Sequence, residues 1–470
     1  MNLVLLWTDM LVFLLVLAII SFVLVARRRE HMRAPWRQVA RSRMGMAAAV
    51  ILVVYVAIGL LDSIHFHPRD HDASADQPRY SADVISVFDW IMDPVRSKVE
   101  KTYSAPFATH LYAKETVRLP DGTQDRIYPR LEHGGAHLSD PETQRLTDIA
   151  TRAGMGLIYA LVIWLLAVAV LVGWQSRGLQ QPFRRRLADI FKRRTPVPWD
   201  VIIYTGAVVI VFISLATQLA PHYHIFGTDK VGADVFYQTL KSIRTGLMIG
   251  TLTTLIMLPF ALFLGLAAGY FRGWVDDVVQ YTYTTLVSIP GVLLIAAAIL
   301  LLQVYMSNNP EQFSTPENRA DLRLLFLCLI LGITSWTSLC RLLRGETLKL
   351  RDIEYVQAAQ AFGVSHMTIL TRHILPNVMH IVLITVVLDF SALVLAEAVL
   401  SYINIGVDPS MNSWGNMINS ARLEMARDPV VWWSLAAAFI FMLGLVLPAN
   451  LFSDAVRDAF DPRMRKLQNN

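Results

Sequence analysis

The sequence predicts an all-α polytopic membrane helical bundle, with a small external segment of mixed structure. Of its 470 residues, 54% are hydrophobic and 17% are charged, and several apolar runs are long enough to cross a bilayer. Nine runs are candidate spans, and they lie near residues 3–25, 45–61, 155–174, 201–219, 245–270, 278–305, 324–340, 378–405 and 431–452.

Lysine and arginine residues predict the orientation, because short basic loops stay cytoplasmic. Clusters follow the first and third spans, at 27–43 and 177–194. Alternation then places the N-terminus outside and the C-terminus inside. The first run has no basic residue before it, which favours an uncleaved helix over a signal peptide. Anionic lipid explains the basic patches beside the membrane, so lipid is an expected partner and nucleic acid is not.

The stretch 62–154 is expected outside the membrane, as a small domain or cap. Alternation over Thr116–Leu119, a turn at Pro120–Gly122 and the sequence from Asp125 to Tyr128 predict a two-stranded hairpin. Several histidines and acids also fall here, namely His65, His67, Asp70, His71, Asp72, His133 and His137. Their spacing is not that of a compact ligand set, and a solvated loop is the preferred interpretation over a metal site.

The most specific feature is a polar hairpin between two apolar runs. Apolar residues at helical spacing precede Gly363, a residue that can end a helix in the left-handed conformation. Ser365 can cap a second short helix, and Pro376 suits the first turn of the next membrane helix. Two short helices are therefore expected to meet at an open corner.

This hairpin resembles the EAA loop of ABC importer permeases, the element that docks in a groove of the cytoplasmic ATPase. The resemblance rests on Glu354, Ala358, Ala359 and Gly363, followed at the expected distance by the sequence Arg372–Asn377. It implies that the coupling residues are Glu354, Ala358, Ala359, Gly363, His373, Leu375 and Pro376.

Further motifs, in matching order, resemble the dipeptide, oligopeptide and nickel branch of that family. An external-loop motif of the FGTD..GRD type is formed by Phe226, Gly227, Thr228, Asp229, Gly232 and Asp234. The remaining matches are Ala268–Asp276, Ile289–Gly291, Leu343–Glu346, Ser413–Met417 and Asp454–Arg463, so the resemblance covers about residues 222–463. The chain departs from the family at Ala233, where Arg is usual, and at Ser401–Gly406, where a Ser-Phe-Leu-Gly-Leu-Gly turn is usual.

The resemblance implies a type I permease core of about six helices in the bacterial inner membrane. It implies a second permease subunit, two cytoplasmic ATPase subunits and a periplasmic or surface substrate-binding protein as partners, and it implies no cofactor. The predicted division is an N-terminal extension at 1–61, an external segment at 62–154, an extra helix and basic linker at 155–200, and a core at 201–470. The coupling loop lies at 342–377. Either span two or span four corresponds to the family's first helix.

The candidates for the translocation path are Asp389, Glu397 and Pro290. Asp389 and Glu397 lie eight positions apart on one predicted helix, about 12 Å along its axis, so they need not share a site. Such carboxylates either line a path or satisfy polar groups inside the bundle. Pro259 and Pro290 are expected to kink spans five and six. Gly265 and Gly269 would allow close helix packing.

The chain is not expected to be an enzyme. It has no G-x-x-x-x-G-K-[ST] phosphate loop, so ATP hydrolysis is expected on partner subunits. The alternatives are an ion-coupled carrier and a membrane scaffold or sensor with an external ligand-binding segment. Peptides are the leading cargo, although cargo choice is expected to rest mainly on the separate binding protein. Cys328 and Cys340 fall in one predicted span, too far apart to form a disulfide.

Overall fold

The computed structural model describes residues 2–28, 30–68, 84–118, 124–313 and 315–460, most of which are helical. The first part of the chain contains, in order, β1 (Asn2–Val4), α1 (Trp7–Arg28), α2 (Glu30–Val39), α3 (Arg43–Asp62), β2 (His65–His67), β3 (Ile85–Ser86), α4 (Val87–Ile91), α5 (Asp93–Arg96), β4 (Glu115–Arg118), β5 (Gln124–Ile127), α6 (Pro141–Leu179), α7 (Phe183–Phe191) and α8 (Trp199–Leu219). The rest contains α9 (Val235–Phe271), α10 (Gly273–Ser288), α11 (Gly291–Asn308), a 3₁₀ turn (Pro310–Gln312), α12 (Pro316–Arg351), α13 (Glu354–Ala361), α14 (His366–Ile369), a π turn (Leu370–Ile374), α15 (Leu375–Tyr402), α16 (Trp414–Glu424) and α17 (Trp433–Phe460).

Two compact units group segments that are distant in the chain. Unit 1 comprises Met1–Val4, Arg37–Thr245 and Asn412–Pro448, and unit 2 comprises Leu5–Trp36, Gly246–Met411 and Ala449–Asn470. The sequence-based division at residues 61, 154 and 200 follows chain order instead, and it stays a prediction.

Eight helices of the described residues are long and apolar enough to cross a membrane, which confirms the all-α polytopic class. They are α3, α6, α8, α9, α11, α12, the helical run His366–Tyr402 and α17. The predicted run at 3–25 coincides with α1, whose apolar stretch Trp7–Ser21 is shorter than these.

The prediction of one kinked span at 278–305 was wrong. The helix ends at Ser288, Ile289 is extended with φ −89° and ψ 127°, and a new helix begins at Gly291. Proline disfavours helical geometry in the residue before it and has no N–H to donate, which explains the break before Pro290. Pro259, by contrast, lies inside the continuous helix α9.

In unit 1, α8 packs along both α6 and α3. A buried cluster of Val172, Ile190 and Ile203 holds α6, α7 and α8 together. The indole of Trp164 donates to the carbonyl of Ile203 over 3.1 Å. These contacts place the helices that flank the 62–154 segment in one packed group.

Described residues of the 62–154 segment take part in two small antiparallel sheets, one of which also includes β1 from the start of the chain. Strands β1, β2 and β3 form one sheet, in that order. Strands β4 and β5 pair from Glu115 opposite Ile127 to Arg118 opposite Gln124. The predicted hairpin is therefore confirmed in its strands, whereas its turn at 119–123 lies outside the described residues.

Unit 2 is built around α12, which carries the buried residues Leu324, Leu327 and Cys328. Helix α1 is fastened to it, because the backbone N–H of Thr8 donates to Asp321 over 3.2 Å. The predicted close packing at Gly269 is confirmed, since an added Cβ would lie 2.6 Å from Cβ of Thr347 on α12. Cys328 and Cys340 are buried and free.

Candidate functional site

The first helix of the hairpin begins where α12 ends. Helix α13 runs from Glu354, which places an acidic side chain in the first turn where the helix dipole favours it. The helix stops at Ala361, and Gly363 has φ +73°, in the left-handed region that favours glycine. The N–H of Val364 closes the turn by donating to the carbonyl of Ala359 over 3.1 Å. The predicted end of this helix is thus confirmed.

The second half of the hairpin differs from the prediction. Ser365 caps α14, as expected, through its hydroxyl and the N–H of Thr368. However, α14 does not form a separate short helix, because the π turn Leu370–Ile374 joins it to α15 and the helical run continues to Tyr402. Pro376 lies at the start of α15, where its missing N–H removes one helical hydrogen bond. The wider π turn occurs just before this position.

The hairpin is anchored through a fully buried base. Val356 on α13 and Ile369 and Ile374 on the second half have no solvent exposure. They pack in one cluster with Leu339 and Leu343 of α12. Because three apolar side chains are removed from water here, the base of the hairpin packs firmly against the long helices.

Other side chains of the hairpin are exposed and partly apolar. Phe362 at the tip is 87% exposed, Met367 is 64% exposed and Tyr355 is 44% exposed. We call these three residues the tip surface. The structure also exposes the side chains of Glu354 and Ala358. A cluster of large apolar side chains rimmed by polar residues is typical of a protein interaction surface.

The other predicted coupling residues lie nearer the base. Ala359 and Leu375 are half-buried and pack against the cluster beneath the hairpin. His373 is half-buried, with its ring 6.2 Å from that of Tyr355. Pro376 is exposed. The predicted residues therefore divide between the surface and the anchoring base of one hairpin.

Two motifs that the sequence suggested separately are brought together beneath the hairpin. Arg344 of α12 donates to both carboxylate oxygens of Asp276 on α10, over 2.5 and 2.7 Å. A two-point guanidinium–carboxylate pair fixes orientation as well as distance. Arg272, between α9 and α10, pairs with Asp352 over 2.9 Å. The order of the motifs along the chain indicated one family. It did not predict that Arg344 pairs with Asp276 or that Arg272 pairs with Asp352.

The 226–234 loop contains the external-loop motif. Within it, Asp229 accepts hydrogen bonds from the N–H groups of Val231 and Ala233, over 3.0 and 2.9 Å. Asp234 accepts from the N–H of Tyr237 in the first turn of α9, over 3.0 Å. The loop is therefore closed by its own carboxylates, and Ala233 takes part through its backbone.

The same loop is joined to the 62–154 segment by backbone hydrogen bonds. The N–H of Thr228 donates to Ser104 over 3.1 Å, and the hydroxyl of Thr228 accepts from the N–H of Ser104 over 2.7 Å. The N–H of Glu100 donates to Gly232 over 2.9 Å. A Cβ at Gly232 would lie 1.7 Å from the carbonyl oxygen of Glu100, so only glycine fits. Gly227 also lies against this segment.

A buried charge cluster lies beneath this junction. The two ring nitrogens of His224 contact Asp234 at 2.6 Å and Glu100 at 3.3 Å. Burial opposes the charged imidazolium, but the hydrogen bonds to Asp234 and Glu100 outweigh it and raise the pKa of His224 to about 9.

Glu100 completes the cluster with backbone contacts. Its carboxylate accepts from the N–H groups of Glu132, His133 and Gly134, each over 2.9 Å. Burial alone would raise its pKa, but hydrogen bonds from His224 and these N–H groups outweigh burial and lower the pKa of Glu100 to about 2. His224 and Glu100 carry no local motif, so the sequence alone did not single them out.

The three candidate path residues are not brought into one site by described contacts. Glu397 is buried and accepts from the hydroxyl of Ser401 over 2.7 Å, one turn further along α15. Asp389 is half-buried on the same helix. Pro290 lies at the break between α10 and α11.

The predicted histidine-rich stretch is only partly described. His65 and His67 lie on β2, and His137 pairs with Asp148 over 2.8 Å. Asp70, His71 and Asp72 lie outside the described residues. Across the described ranges, no group of three or more His, Cys, Asp or Glu side chains is placed to hold a metal ion.

Long apolar helices and an anchored hairpin with an exposed tip define a multi-pass membrane protein of the transport permease class. Residues 261–466 match the family described as the binding-protein-dependent transport system inner membrane component. The chain belongs to this family of ABC importer permeases, as the motifs predicted.

Relatives with assigned roles match about half of the chain. The oligopeptide transport system permease protein OppC of Mycobacterium tuberculosis is 33% identical over 245 residues, which are 52% of this chain and 78% of the relative. The glutathione transport system permease protein GsiD of Pectobacterium atrosepticum is 32% identical over 244 residues, 52% of this chain and 73% of the relative. The dipeptide transport system permease protein DppC of Bacillus subtilis is 29% identical over 243 residues, which are 52% of this chain and 70% of the relative.

The chain is therefore a membrane-spanning permease subunit of an ATP-driven ABC importer. It is a multi-pass protein of the inner membrane and works with other components of such an importer. This membership favours the importer over an ion-coupled carrier or a membrane scaffold.

Proposed function

We propose that the hairpin 354–377 docks on a cytoplasmic ATPase subunit and passes the movement of that subunit into the membrane helices. The observation that carries this proposal is the contrast within one hairpin. Val356, Ile369 and Ile374 are fully buried at the base, whereas Phe362 is 87% exposed at the tip. An anchored element with an exposed aromatic side chain is suited to insert into a partner's groove.

The second half of the hairpin is suited to transmit force. Helical backbone runs without interruption from His366 to Tyr402. A displacement of the tip surface therefore moves the helix that carries Asp389 and Glu397. We infer that these two carboxylates and the helix break at Pro290 line the translocation path, half of which this chain forms.

The arrangement of the importer follows from this docking. The hairpin is taken as cytoplasmic, and α1 is counted as a ninth span beside the eight long apolar helices. The N-terminus and the 62–154 segment then lie outside, and the C-terminus lies inside. The partners are a second permease subunit in a heterodimer, two ATPase subunits and a periplasmic or surface substrate-binding protein. We infer that residues 201–470 form the permease core.

Substitution of Phe362 tests the docking. Burying a phenylalanine side chain is worth roughly 2 kcal/mol, so Phe362→Ala should weaken ATPase binding about 30-fold and reduce ATP-dependent uptake in proportion. The matched control is Phe263→Ala, because Phe263 on α9 is 68% exposed but lies outside the hairpin. Wild-type ATPase binding by Phe362→Ala would refute docking through this tip.

The left-handed turn gives a second test. Proline cannot adopt the φ of +73° that Gly363 has, whereas asparagine tolerates it. No atom lies within 4 Å of an added Cβ, so the two variants differ in backbone strain and in the N–H of residue 363, which donates to the carbonyl of Gln360 over 3.0 Å and which proline lacks. Gly363→Pro should abolish ATPase co-purification and Gly363→Asn should keep most of it. Equal binding by both variants would show that the hairpin geometry is not required.

We propose peptides or related small solutes as the cargo. The support is that relatives are named for oligopeptide, dipeptide and glutathione transport. Uptake into vesicles that contain the whole importer should be measured with labelled di- and oligopeptides, and with nickel ions as the comparison. ATP-dependent accumulation of nickel but not of any peptide would reject this cargo class.

A further inference from the structure

One buried tyrosine contacts both halves of the hairpin. Tyr270 lies in the last turn of α9 and is 3% exposed. Its hydroxyl is 2.8 Å from Nδ1 of His366, the first residue of α14. The same oxygen accepts a hydrogen bond from Nε2 of Gln360, in the last turn of α13, over 3.3 Å. The hydroxyl therefore bridges two helices to which it does not belong.

The Tyr270 ring is held from several sides. It packs edge-on against the rings of Phe271 and His366, with centroids 5.1 and 5.5 Å away. The guanidinium of Arg351 lies 5.8 Å from the ring centroid. The hydroxyl is therefore presented to the hairpin at a fixed position.

Tyr270 is also fixed with respect to α12. The preceding residue, Gly269, lies so close to α12 that an added Cβ would meet the carbonyl oxygen of Arg344 at 2.7 Å. A second polar link joins Arg272, which follows α9, to Asp352, which precedes α13; this pair is about half exposed and contributes little to rigidity. The buried Tyr270 hydroxyl is thus the firmer of the two polar links from α9 to the hairpin segment.

Space beside this contact makes the hydrogen bonds important. A cavity of about 470 Å³ adjoins Tyr270, Gln360 and His366. Dense packing does not fill the angle between α13 and α14 on this side. Directional hydrogen bonds must therefore contribute to holding that angle.

We propose that the Tyr270 hydroxyl is a positioning group that couples the hairpin to α9. Helix α15 follows the hairpin because their backbones are continuous, whereas α9 follows it through Tyr270. Displacement of the tip would then move both helices together. This inference rests on the proposed docking of the hairpin, and it assigns to Tyr270 the transfer of force after docking.

The test is the amount of cargo transported per ATP hydrolysed by the whole importer in vesicles. Tyr270→Phe keeps the ring and removes only the hydroxyl. We expect normal ATPase binding and a coupling ratio lower by about fivefold or more, because about fivefold corresponds to one neutral hydrogen bond and the hydroxyl makes two. Tyr281→Phe on α10, at a position 75% exposed, is the matched control and should keep the wild-type ratio.

His366 supplies a second variant. It is exposed at the hairpin surface, so its replacement should leave the fold intact. His366→Ala should lower the coupling ratio by a similar factor, whereas His366→Asn, which retains a polar atom near the position of Nδ1, should restore part of it. The double variant Tyr270→Phe/His366→Ala should be no worse than Tyr270→Phe alone, because Tyr270→Phe already removes the contact with His366. Losses that multiply in the double variant would overturn the proposal.

The result separates the two proposals. If Phe362→Ala binds the ATPase normally, the docking proposal fails whatever Tyr270→Phe does. If Phe362→Ala abolishes docking and Tyr270→Phe keeps the wild-type coupling ratio, the positioning role of Tyr270 is refuted and docking stands.

Discussion

Replacing His224 by Gln should destabilise the junction between the 226–234 loop and the 62–154 segment by about 3 kcal/mol near pH 6. The side chain of His224 is 4% exposed, and those of Glu100 and Asp234 are each 1% exposed. Glutamine cannot carry the positive charge that lies between the two carboxylates. The variant therefore leaves two buried acids facing each other without a cation.

The magnitude follows from the raised pKa of His224. Burial disfavours the charged ring, but hydrogen bonds to Asp234 and Glu100 raise the pKa from 6.5 to about 9. The two pKa values of His224 differ by roughly 2.5, and each pKa unit corresponds to about 1.4 kcal/mol. The charged ring therefore contributes about 3 kcal/mol to the free energy of unfolding.

The pH dependence has a definite sign. Because the folded-state pKa of His224 is raised, its contribution is full below pH 6.5 and is lost as the pH rises through 9. The pKa of Glu100 is lowered from 4.5 to about 2, so its contribution is present above pH 4.5 and is lost as the pH falls through 2. The junction should be most stable between pH 4.5 and 6.5.

Hydrogen exchange of peptides covering residues 98–112, corrected for intrinsic rates, measures the opening of this junction. In the wild-type importer, protection should fall about 100-fold between pH 6 and pH 9, which corresponds to about 3 kcal/mol. His224→Gln should show low protection at both values. The matched control is His137→Gln, because the pair of His137 and Asp148 is more exposed. Wild-type protection in His224→Gln at pH 6 would refute the reasoning.

Three further outcomes are expected. Arg344→Lys keeps the charge but loses the two-point contact with Asp276. The free energy of thermal unfolding of the importer should therefore fall by about 1–2 kcal/mol, and an unchanged melting curve would contradict this. Gly269→Val forces side-chain atoms into α12 and should lower the free energy of unfolding by about 1–3 kcal/mol in the same assay. Gly345→Ala, with open space around the added Cβ, should leave it unchanged. Equal melting temperatures of the two variants would count against the close packing at Gly269. Glu397→Gln should reduce uptake while ATPase binding stays intact, and full uptake would remove Glu397 from the proposed path.

Local signals predicted the hairpin well. Gly363 ends α13 and Ser365 caps α14 because each depends on backbone groups within a few residues. Prolines were less informative. Pro290 separates two helices and Pro259 lies inside one, although both stand in apolar runs. Ile289 leaves the helix before Pro290, and the sequence alone did not distinguish these surroundings.

Contacts between distant residues could not be predicted from the sequence. Glu100 and His224 are 124 positions apart, and Tyr270 and His366 are 96 positions apart. Neither pair has a periodic pattern or a motif that links its members. Each contact forms only in the folded chain, where packing brings the two residues together and a buried polar group must find a hydrogen-bond partner.

The 226–234 loop shows how a permease motif can contact the 62–154 segment. Its internal hydrogen bonds, from Val231 and Ala233 to Asp229, close the loop without help from the 62–154 segment. The contacts to that segment use the N–H and hydroxyl of Thr228 and the carbonyl of Gly232, all of which remain available once the loop is closed. Glycine at 232 leaves room for the approaching backbone of Glu100. A loop that is already folded can therefore accept a new neighbour with few changes of side chain, and the buried charge of His224 then makes that junction specific.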